Sequence, residues 1–499
     1  MGEPGWGDPL VPRGAGRSVG VPGAAPYDGP VPSPLTPSRR RARRGWGVAL
    51  VLLALAGATG VSGCTGFADP PASSSLTSAS TSTTAATMSS ATSAEVSAAI
   101  ADVLRRRAAA VIGGDESAYA ATVADRTAES GRRQLDGYAA ARELRVSRLK
   151  VGEPVVDLVA TEPGTHAAPT PQRTAVTTTE PSASPTSPLR ATAQVDLRYR
   201  VDDLDLGDRV ARLEYDLVRS GAGWQVEAER PVGAGATAPW VAMPALKVRR
   251  GDHAVVAGTV PTARLAEHAA VVDRAVPPLR EQWPGTPARV LVLAPSTASE
   301  ADALLGRPAG SGAAPVAATT EGPTGSAGTA TGDRIVLDPT AFDRLTASGR
   351  AVVLMHELAH VAVRSTVPGR PAAWLAEGYA DHVGYARADV PTRRLVAPLV
   401  SAIRAGNGMR ELPGAADLQP ASGDIEVPYL AGWQAVELIA AEHGGAALRR
   451  LVTAGSSTGS DADAEAATDD ALASVLGTTR AELTDRWLTR LGHLATNPD

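Results

Sequence analysis

The sequence predicts an α+β protein with two folded domains, at residues 94–231 and 240–499. In the first domain, helical periodicity is followed by segments with the alternation of antiparallel strands. In the second domain, short and uniformly apolar segments, typical of buried strands, precede a long series of helices. The composition, with 43% hydrophobic and 20% charged residues, is that of an ordinary globular protein.

The first 64 residues favour export of the chain. Residues 1–44 combine a Gly- and Pro-rich stretch without periodicity, which predicts disorder, with five arginines between positions 39 and 44. An uncharged apolar run begins at residue 45, and the sequence Val-Ser-Gly-Cys follows it and ends at Cys64. This order is typical of a secretory signal, and the basic flank is expected to stay on the cytoplasmic side.

The end of this segment, residues 45–64, resembles the signal and lipobox of bacterial lipoproteins. The resemblance implies that Cys64, the only cysteine, carries a lipid and anchors the protein at the extracytoplasmic face of the cell membrane. A transmembrane anchor over residues 45–68 is the alternative, although Gly, Ser and Thr dominate its second half. Residues 65–93 form a Ser/Thr-rich linker with too little apolar content to fold. A single cysteine excludes an internal disulfide.

The first domain begins with three predicted helices and continues with four predicted strands. The helices are expected at residues 95–112, 117–126 and 131–143, and the strands at 144–151, 191–201, 210–219 and 223–229. A Thr- and Pro-rich loop at 166–188 separates the first two strands. Three helices and a curved antiparallel sheet resemble the NTF2-like cone fold. No motif accompanies this resemblance, which implies a structural or ligand-binding accessory role.

The sheet of the second domain is expected to contain strands at residues 253–258, 289–294, 316–320 and 334–337. Residues 240–250 are predicted to be a connector and residues 322–332 a flexible loop. A helix at 265–276 should stop at Pro277 and Pro278, because proline lacks a backbone N–H and its ring clashes with the preceding turn.

Helices are predicted for most of the remaining chain, apart from a loop at residues 407–427. They are expected at residues 372–386, 391–405, 429–443, 461–476 and 479–491. Gly444 and Gly445 should end the third of these. Thr479 and Glu482 have the spacing of a capping box at the start of the last.

His356, Glu357 and His360 form the pattern H-E-x-x-H, which carries the chemistry of the chain. Residues four apart lie on one face of a helix, so the two imidazoles can aim at one point. The surrounding positions 351–363 are apolar nearly all round, which predicts a buried helix. Two imidazoles suit Zn²⁺, and a catalytic zinc takes three protein ligands and leaves one position open.

Glu377 is the candidate third ligand. It follows His360 by 17 positions, across a break at residues 368–371 that lets a second helix fold back. Asp381, four residues further on, can accept a hydrogen bond from the outer nitrogen of a ligating histidine. Glu357 lies about 100° around the first helix from His356, where it can act as a general base toward the open position.

The sequences H-E-L-A-H and W-L-A-E-G-Y-A-D together resemble the gluzincin metallopeptidases of the peptidase MA superfamily. The resemblance implies a small β-sheet lobe and a helical lobe, with zinc bound by His356, His360 and Glu377. It also implies that Glu357 is the general base, that Asp381 supports a ligand and that the substrate is a peptide or protein. The oxyanion donor of this family follows the glutamate ligand, which makes Tyr429 the candidate and His443 the alternate. The aminopeptidase motif G-x-M-E-N is absent, so endopeptidase action stays open.

The expected function is that of a membrane-anchored, extracytoplasmic zinc peptidase. The alternative is a lipoprotein that binds a ligand through its first domain and has a structural or inactive zinc site. A net charge of -5 and an isoelectric point near 6.0 give no reason to expect a nucleic-acid partner. The remaining histidines are isolated in sequence, and His382 is expected to be structural because it points away from the site.

Overall fold

The computed structural model describes residues 90–159, 189–221, 223–233, 235–308, 316–388, 390–419 and 425–496. The predicted signal, Cys64, residues 65–89 of the linker and the loop at 166–188 lie outside these residues. Within the described ranges the chain has fourteen α-helices and two five-stranded sheets, a mixed α+β fold as predicted. None of these helices combines the length and apolar character needed to cross a bilayer.

The first sheet follows three helices. The elements are α1 (Ser90–Gly113), α2 (Glu116–Ala120), α3 (Glu129–Leu144), β1 (Val146–Val151), β2 (Val155–Val159), β3 (Arg190–Val201), β4 (Arg209–Ser220) and β5 (Gly223–Pro231). The sheet is antiparallel in the order β1-β3-β4-β5, with β2 also paired to β3. The alternation of buried and exposed residues along β3 places alternate side chains in the core, as the sequence pattern predicts.

One prediction for this part is wrong, and one strand was missed. The helix predicted at 117–126 ends at Ala120, because the backbone of Thr122 and Ala124 pairs with Val226 of β5 instead of continuing the helix. The strand β2 was not predicted from the sequence. It lies at an edge of the sheet and exposes Val155 and Val159, so it lacks the buried apolar face that marks the other strands.

The second sheet has parallel central strands and antiparallel edges. The elements are α4 (Pro239–Ala242), β6 (Lys247–Arg250), β7 (Ala254–Gly258), α5 (Thr262–Gln282), β8 (Val290–Ala294), α6 (Ala298–Leu305), β9 (Ala318–Glu321) and β10 (Arg334–Leu337). The order is β6-β7-β8-β10-β9, in which β6 and β9 form the edges. Residues 240–250, predicted to be a connector, therefore contain a short helix and an edge strand.

The prediction that α5 stops before Pro277 and Pro278 is also wrong, because the helix continues to Gln282. Each proline removes one backbone hydrogen bond. Burial of Val272 and Val276 before the prolines and of Leu279 after them offsets that loss, since one apolar face of α5 packs along its whole length.

Helices build the rest of the chain. They are α7 (Pro339–Phe342), α8 (Ala347–Thr366), α9 (Ala373–Tyr385), α10 (Thr392–Leu395), α11 (Ala397–Arg404), α12 (Glu426–Ala454), α13 (Asp461–Ala471) and α14 (Arg480–Thr496), with a π-helical turn at Leu472–Leu476. Gly444, at φ 78° and ψ 162°, interrupts α12, but the chain returns at once to a helix that buries Leu448 and Leu451. The predicted capping box is confirmed, because Thr479 and Glu482 exchange backbone and side-chain hydrogen bonds.

Both faces of the second sheet are buried. Val256, Val292 and Ile335 belong to the core of the helical lobe, whereas their neighbours Val255 and Leu291 belong to the core of the first sheet. Successive side chains of a strand point to opposite faces, so each central strand contributes to both cores. The first domain therefore packs on the back of the sheet whose front carries the helices.

A buried ion network joins the two sheets. Asp205, in the turn between β3 and β4, lies 3.3 Å from both Arg209 and Arg334. Arg209 also reaches Glu321 on β9 at 3.1 Å, and Arg334 donates to the Tyr199 hydroxyl at 3.0 Å. The side chains of Asp205, Arg209 and Arg334 are at most 6% exposed. The turn of the first domain thereby supports the edge strand β9.

The loop at 322–332, predicted to be flexible, is held on two sides. Arg364 at the end of α8 donates to the Gly322 carbonyl at 3.1 Å and pairs with Asp333 at 2.8 Å. The backbone N–H of Leu206 in the first domain donates to the Thr331 carbonyl at 2.7 Å.

Candidate metal centre

Helix α8 carries the H-E-x-x-H residues through the core. Its first turn is capped by Thr346, which accepts a hydrogen bond from the Gly349 N–H. Every residue from position 353 to 363 is buried, so the helix has no solvent face along this stretch. His356 is fully buried and His360 is 6% exposed. The burial predicted from the apolar sequence is confirmed.

Helix α9 returns beside α8 after a fixed turn. Gly369 has φ +76°, a conformation that disfavours other residues, and Arg370 pairs through its backbone with Ser457. Gly378 lets α9 approach α12, because a Cβ there would lie only 2.6 Å from the Gly432 carbonyl oxygen. This close packing places Glu377 and Asp381 between α8 and α12.

Three side-chain atoms converge between α8 and α9. Nε2 of His356 lies 3.0 Å from Nε2 of His360 and 3.2 Å from Oε2 of Glu377. The third side of the triangle, from His360 Nε2 to Glu377 Oε2, measures 3.4 Å. All three residues are buried, and the group could hold a metal ion.

The spacing of this triangle suits a small divalent cation. Ligand atoms bound tetrahedrally at about 2.0–2.1 Å are about 3.4 Å from one another. The distances of 3.0–3.4 Å therefore need only a slight expansion to accept such an ion. Imidazole is a borderline ligand and carboxylate a harder one, and several first-row divalent metals accept this combination.

Asp381 orients the first histidine. Its Oδ1 lies 2.8 Å from Nδ1 of His356, on the side of the ring opposite to the converging Nε2. This contact directs the Nδ1 proton toward the carboxylate. The lone pair of Nε2 is then available to bind a metal ion. Asp381 is 4% exposed, so bulk water contributes little to solvating its carboxylate. Its hydrogen bond to His356 offsets part of the cost of burying it.

The electrostatics of the cluster favour a bound positive charge. Burial lowers the pKa of His356, but hydrogen bonds to Asp381 and Glu377 outweigh it and raise that pKa to about 10. Burial raises the pKa of Glu377, but the charge of His360 and hydrogen bonds to both histidines lower it to about 2. Two buried carboxylates thus require a cationic partner, which a proton supplies when no metal is bound.

Glu357 lies apart from the triangle and contacts the sheet. Its Oε2 accepts a hydrogen bond from the Thr320 hydroxyl of β9 at 2.5 Å. Glu357 is 2% exposed, and burial raises the pKa of its carboxyl, against the charges of His360 and His356. A buried carboxylate with a raised pKa beside a cation site has the properties of a proton acceptor.

The structure brings Tyr429 to the same region. The residue is 3% exposed, and burial, followed by the charges of Glu377, Asp381 and Glu357, raises the pKa of its phenol. Among the described residues its hydroxyl has no hydrogen-bond partner. The alternate, His443, follows 14 residues later, which is about 21 Å along a helix, and it is exposed at the interruption of α12. The structure does not bring His443 to the cluster.

The other histidines lie elsewhere. Nδ1 of His382 contacts Glu437 at 2.7 Å, on the α12 side of α9. His268 on α5 is buried against Phe342, and His253 contacts the Ala288 carbonyl.

Thr320 is the residue that sequence reasoning missed. The sequence predicted its strand but not its neighbour, because the contact with Glu357 joins positions 37 residues apart. Nothing in the sequence around Thr320 indicates that its hydroxyl contacts a residue on another element.

No protein-family model matches this sequence, and a comparison with curated proteins found no match either.

Proposed function

We propose that this protein is a membrane-anchored, extracytoplasmic, zinc-dependent peptidase of gluzincin type. The convergence of His356, His360 and Glu377 from two consecutive helices is the observation that carries the proposal. The positions of Glu357, Asp381 and Tyr429 around that triangle support it. Membrane attachment through Cys64 is proposed from the lipobox-like sequence.

Each side chain has a role in the proposed reaction. Zinc held by His356, His360 and Glu377 would polarise the scissile carbonyl and lower the pKa of a bound water. Glu357 takes a proton from the attacking water and passes it to the leaving amine. Tyr429 donates a hydrogen bond to the oxygen that gains negative charge.

The edge strand β9 gives this site a place for an extended substrate. It is antiparallel to β10 and has no partner strand on its other side within the described residues. An open strand edge can bind a peptide through backbone hydrogen bonds. Since Thr320 of the same strand contacts Glu357, a peptide paired with β9 would lie near the proposed general base.

We further propose that the first domain is an NTF2-like accessory domain. Three helices followed by an antiparallel sheet support this interpretation. Its core is shared with the back of the second sheet, which favours a supporting role over an independent one.

The test uses the full chain, a mixed peptide library and metal analysis by mass spectrometry. Glu357→Gln is expected to keep one zinc per chain and to lose hydrolysis by about 10²–10⁴-fold, because only the proton acceptor is removed. His360→Ala is expected to lose both zinc and hydrolysis. Glu437→Gln, an isosteric change at a half-buried glutamate of α12, is the control and should keep both. Full turnover by Glu357→Gln would rule out the mechanism.

The ligand-binding alternative makes a different prediction in the same experiment. Wild-type protein that holds one zinc but cleaves no peptide of the library, with or without a chelator, would favour it. Cleavage that disappears with the chelator and returns with added zinc would favour the peptidase.

A further inference from the structure

The helical lobe carries a surface cavity of about 410 Å³, and none of its lining residues belongs to the candidate metal centre. Helices α10 and α11 line it with Arg393, Arg394, Ala397, Val400, Ser401 and Arg404. The three arginines are exposed, whereas Val400 is buried beneath them. The cavity therefore combines a cationic rim with an apolar floor.

No carboxylate of the described residues pairs with the arginines of this rim. Among the described residues, Arg393 and Arg394 form no hydrogen bond and no ion pair. By contrast, Arg230 and Arg480 on other surfaces each contact two carboxylates. Like charges that line one cavity repel one another, so an external anion would stabilise the arrangement.

A hydrogen bond to the protein orients the guanidinium group of Arg404, which can contact such an anion. Its Nε donates to the Ala495 carbonyl of α14 at 2.8 Å, which orients the guanidinium and leaves its other N–H groups for a ligand. A donor fixed in this way loses little conformational entropy on binding. Ser401, on the same wall, adds a hydroxyl donor.

The sequence around the cavity is basic although the chain is acidic. Residues 387–410 contain five arginines and a single acidic residue, Asp389, whereas the whole chain has a net charge of -5. The cationic character of this surface is therefore local.

We propose that this cavity binds a phosphate group, carried either by an anionic phospholipid or by a soluble phosphate. The planar donors of three guanidinium groups match the oxygens and the charge of a phosphate. The apolar floor suits the carbon atoms next to the phosphate in a lipid headgroup. An anchor at Cys64, as expected from the sequence, would keep the chain at a membrane that contains such headgroups.

The test measures binding by titration calorimetry with the full chain in a nonionic detergent at low salt. One arm adds inorganic phosphate, and the other adds mixed micelles that contain phosphatidylglycerol, with phosphatidylcholine micelles as the neutral reference. Arg393→Gln/Arg394→Gln is expected to bind the preferred probe about thirtyfold more weakly than wild type, at about one kcal/mol for each arginine. The N-terminal segment is the same in both proteins, so their difference reports on the cavity.

Arg449→Gln/Arg450→Gln is the matched control, because it removes the same charge from an adjacent arginine pair on α12 outside the cavity. It should bind within about twofold of wild type. Binding of phosphatidylglycerol micelles alone identifies the lipid headgroup as the source, and binding of inorganic phosphate identifies a soluble one. The proposal is overturned if wild type binds neither probe, or if both double variants lose the same affinity.

Discussion

Thr320 on β9 donates its hydroxyl to the Glu357 carboxylate on α8, with 2.5 Å between Oγ1 and Oε2. The bond connects the edge of the second sheet with the residue that we propose as the general base. Burial raises the pKa of Glu357, whereas His360, His356 and this hydrogen bond lower it. The bond also helps to orient the Glu357 side chain, which is 2% exposed.

Thr320→Val should lower turnover because it removes this positioning contact and keeps the volume of the side chain. A hydrogen bond to a charged group contributes about 1.5–3 kcal/mol, so we expect kcat to fall roughly tenfold to hundredfold with KM little changed. Steady-state kinetics on a peptide that wild type cleaves would measure this. Thr320→Ser should restore most of the rate. Thr319→Val is the control, because Thr319 pairs with Val336 and faces the first domain.

Asp381→Asn should weaken metal binding without removing a ligand. The carboxylate contacts Nδ1 of His356 at 2.8 Å, and partners of this kind change metal affinity by about 10–100-fold. Competition with a chromophoric chelator would measure the affinity, and Glu437→Gln serves as the comparison. Unchanged zinc affinity in Asp381→Asn would show that the contact does not orient the ligand.

Asp205→Asn should destabilise the joint between the two sheets. The change leaves the buried guanidinium groups of Arg209 and Arg334 without their shared carboxylate, which we expect to cost about 3–5 kcal/mol. Asp208→Asn, in the same turn, removes a partly exposed partner of Arg200 and should cost at most about 1 kcal/mol. Urea unfolding of both variants measures the difference. Equal free energies of unfolding would contradict a structural role for the network.

His268 should make the folded state sensitive to acid. Burial, followed by the charges of Arg264 and Arg350, lowers its pKa from 6.5 to about 4, against the weaker effect of Glu267 and Asp343. Between these values only the unfolded chain takes up the proton, so this contribution to stability is present above pH 6.5 and is lost as the pH falls toward 4. The loss amounts to about 3 kcal/mol at pH 4.

His268→Leu removes the titrating group and should flatten this part of the pH dependence. Urea unfolding between pH 7 and pH 4 measures the free energy of unfolding of wild type and variant. His493→Gln, at an exposed position of α14, is the control. A wild-type curve that falls no more steeply than that of His268→Leu would show that His268 is not the cause.

Local sequence patterns were sufficient to predict which residues form the candidate metal centre. Two histidines four apart in an apolar helix, a Pro/Gly break and a glutamate on the next helix all act over fewer than 30 residues. Helical spacing determines the direction of the side chains in such a segment, and burial follows from composition. The structure accordingly brings His356, His360 and Glu377 together and places Asp381 behind His356.

Predictions failed where distant packing overrides local preference. The helix α5 passes through Pro277 and Pro278 because its apolar face is buried on both sides of them, and the segment after Ala120 leaves its helix to pair with β5. By contrast, the predicted helix stop at Gly444 is confirmed, because the backbone there is not helical and a separate helical segment follows at once.

By itself the sequence determined the mixed α+β class, the ligand triangle and the basic character of residues 387–410, since each depends on residue type and short spacing. Only the tertiary structure decided that Thr320 contacts Glu357, that Asp205 joins two sheets and that β9 forms an edge. These contacts connect residues from 37 to 129 positions apart. Their energy depends on which surfaces are buried against each other, and no local pattern encodes that choice.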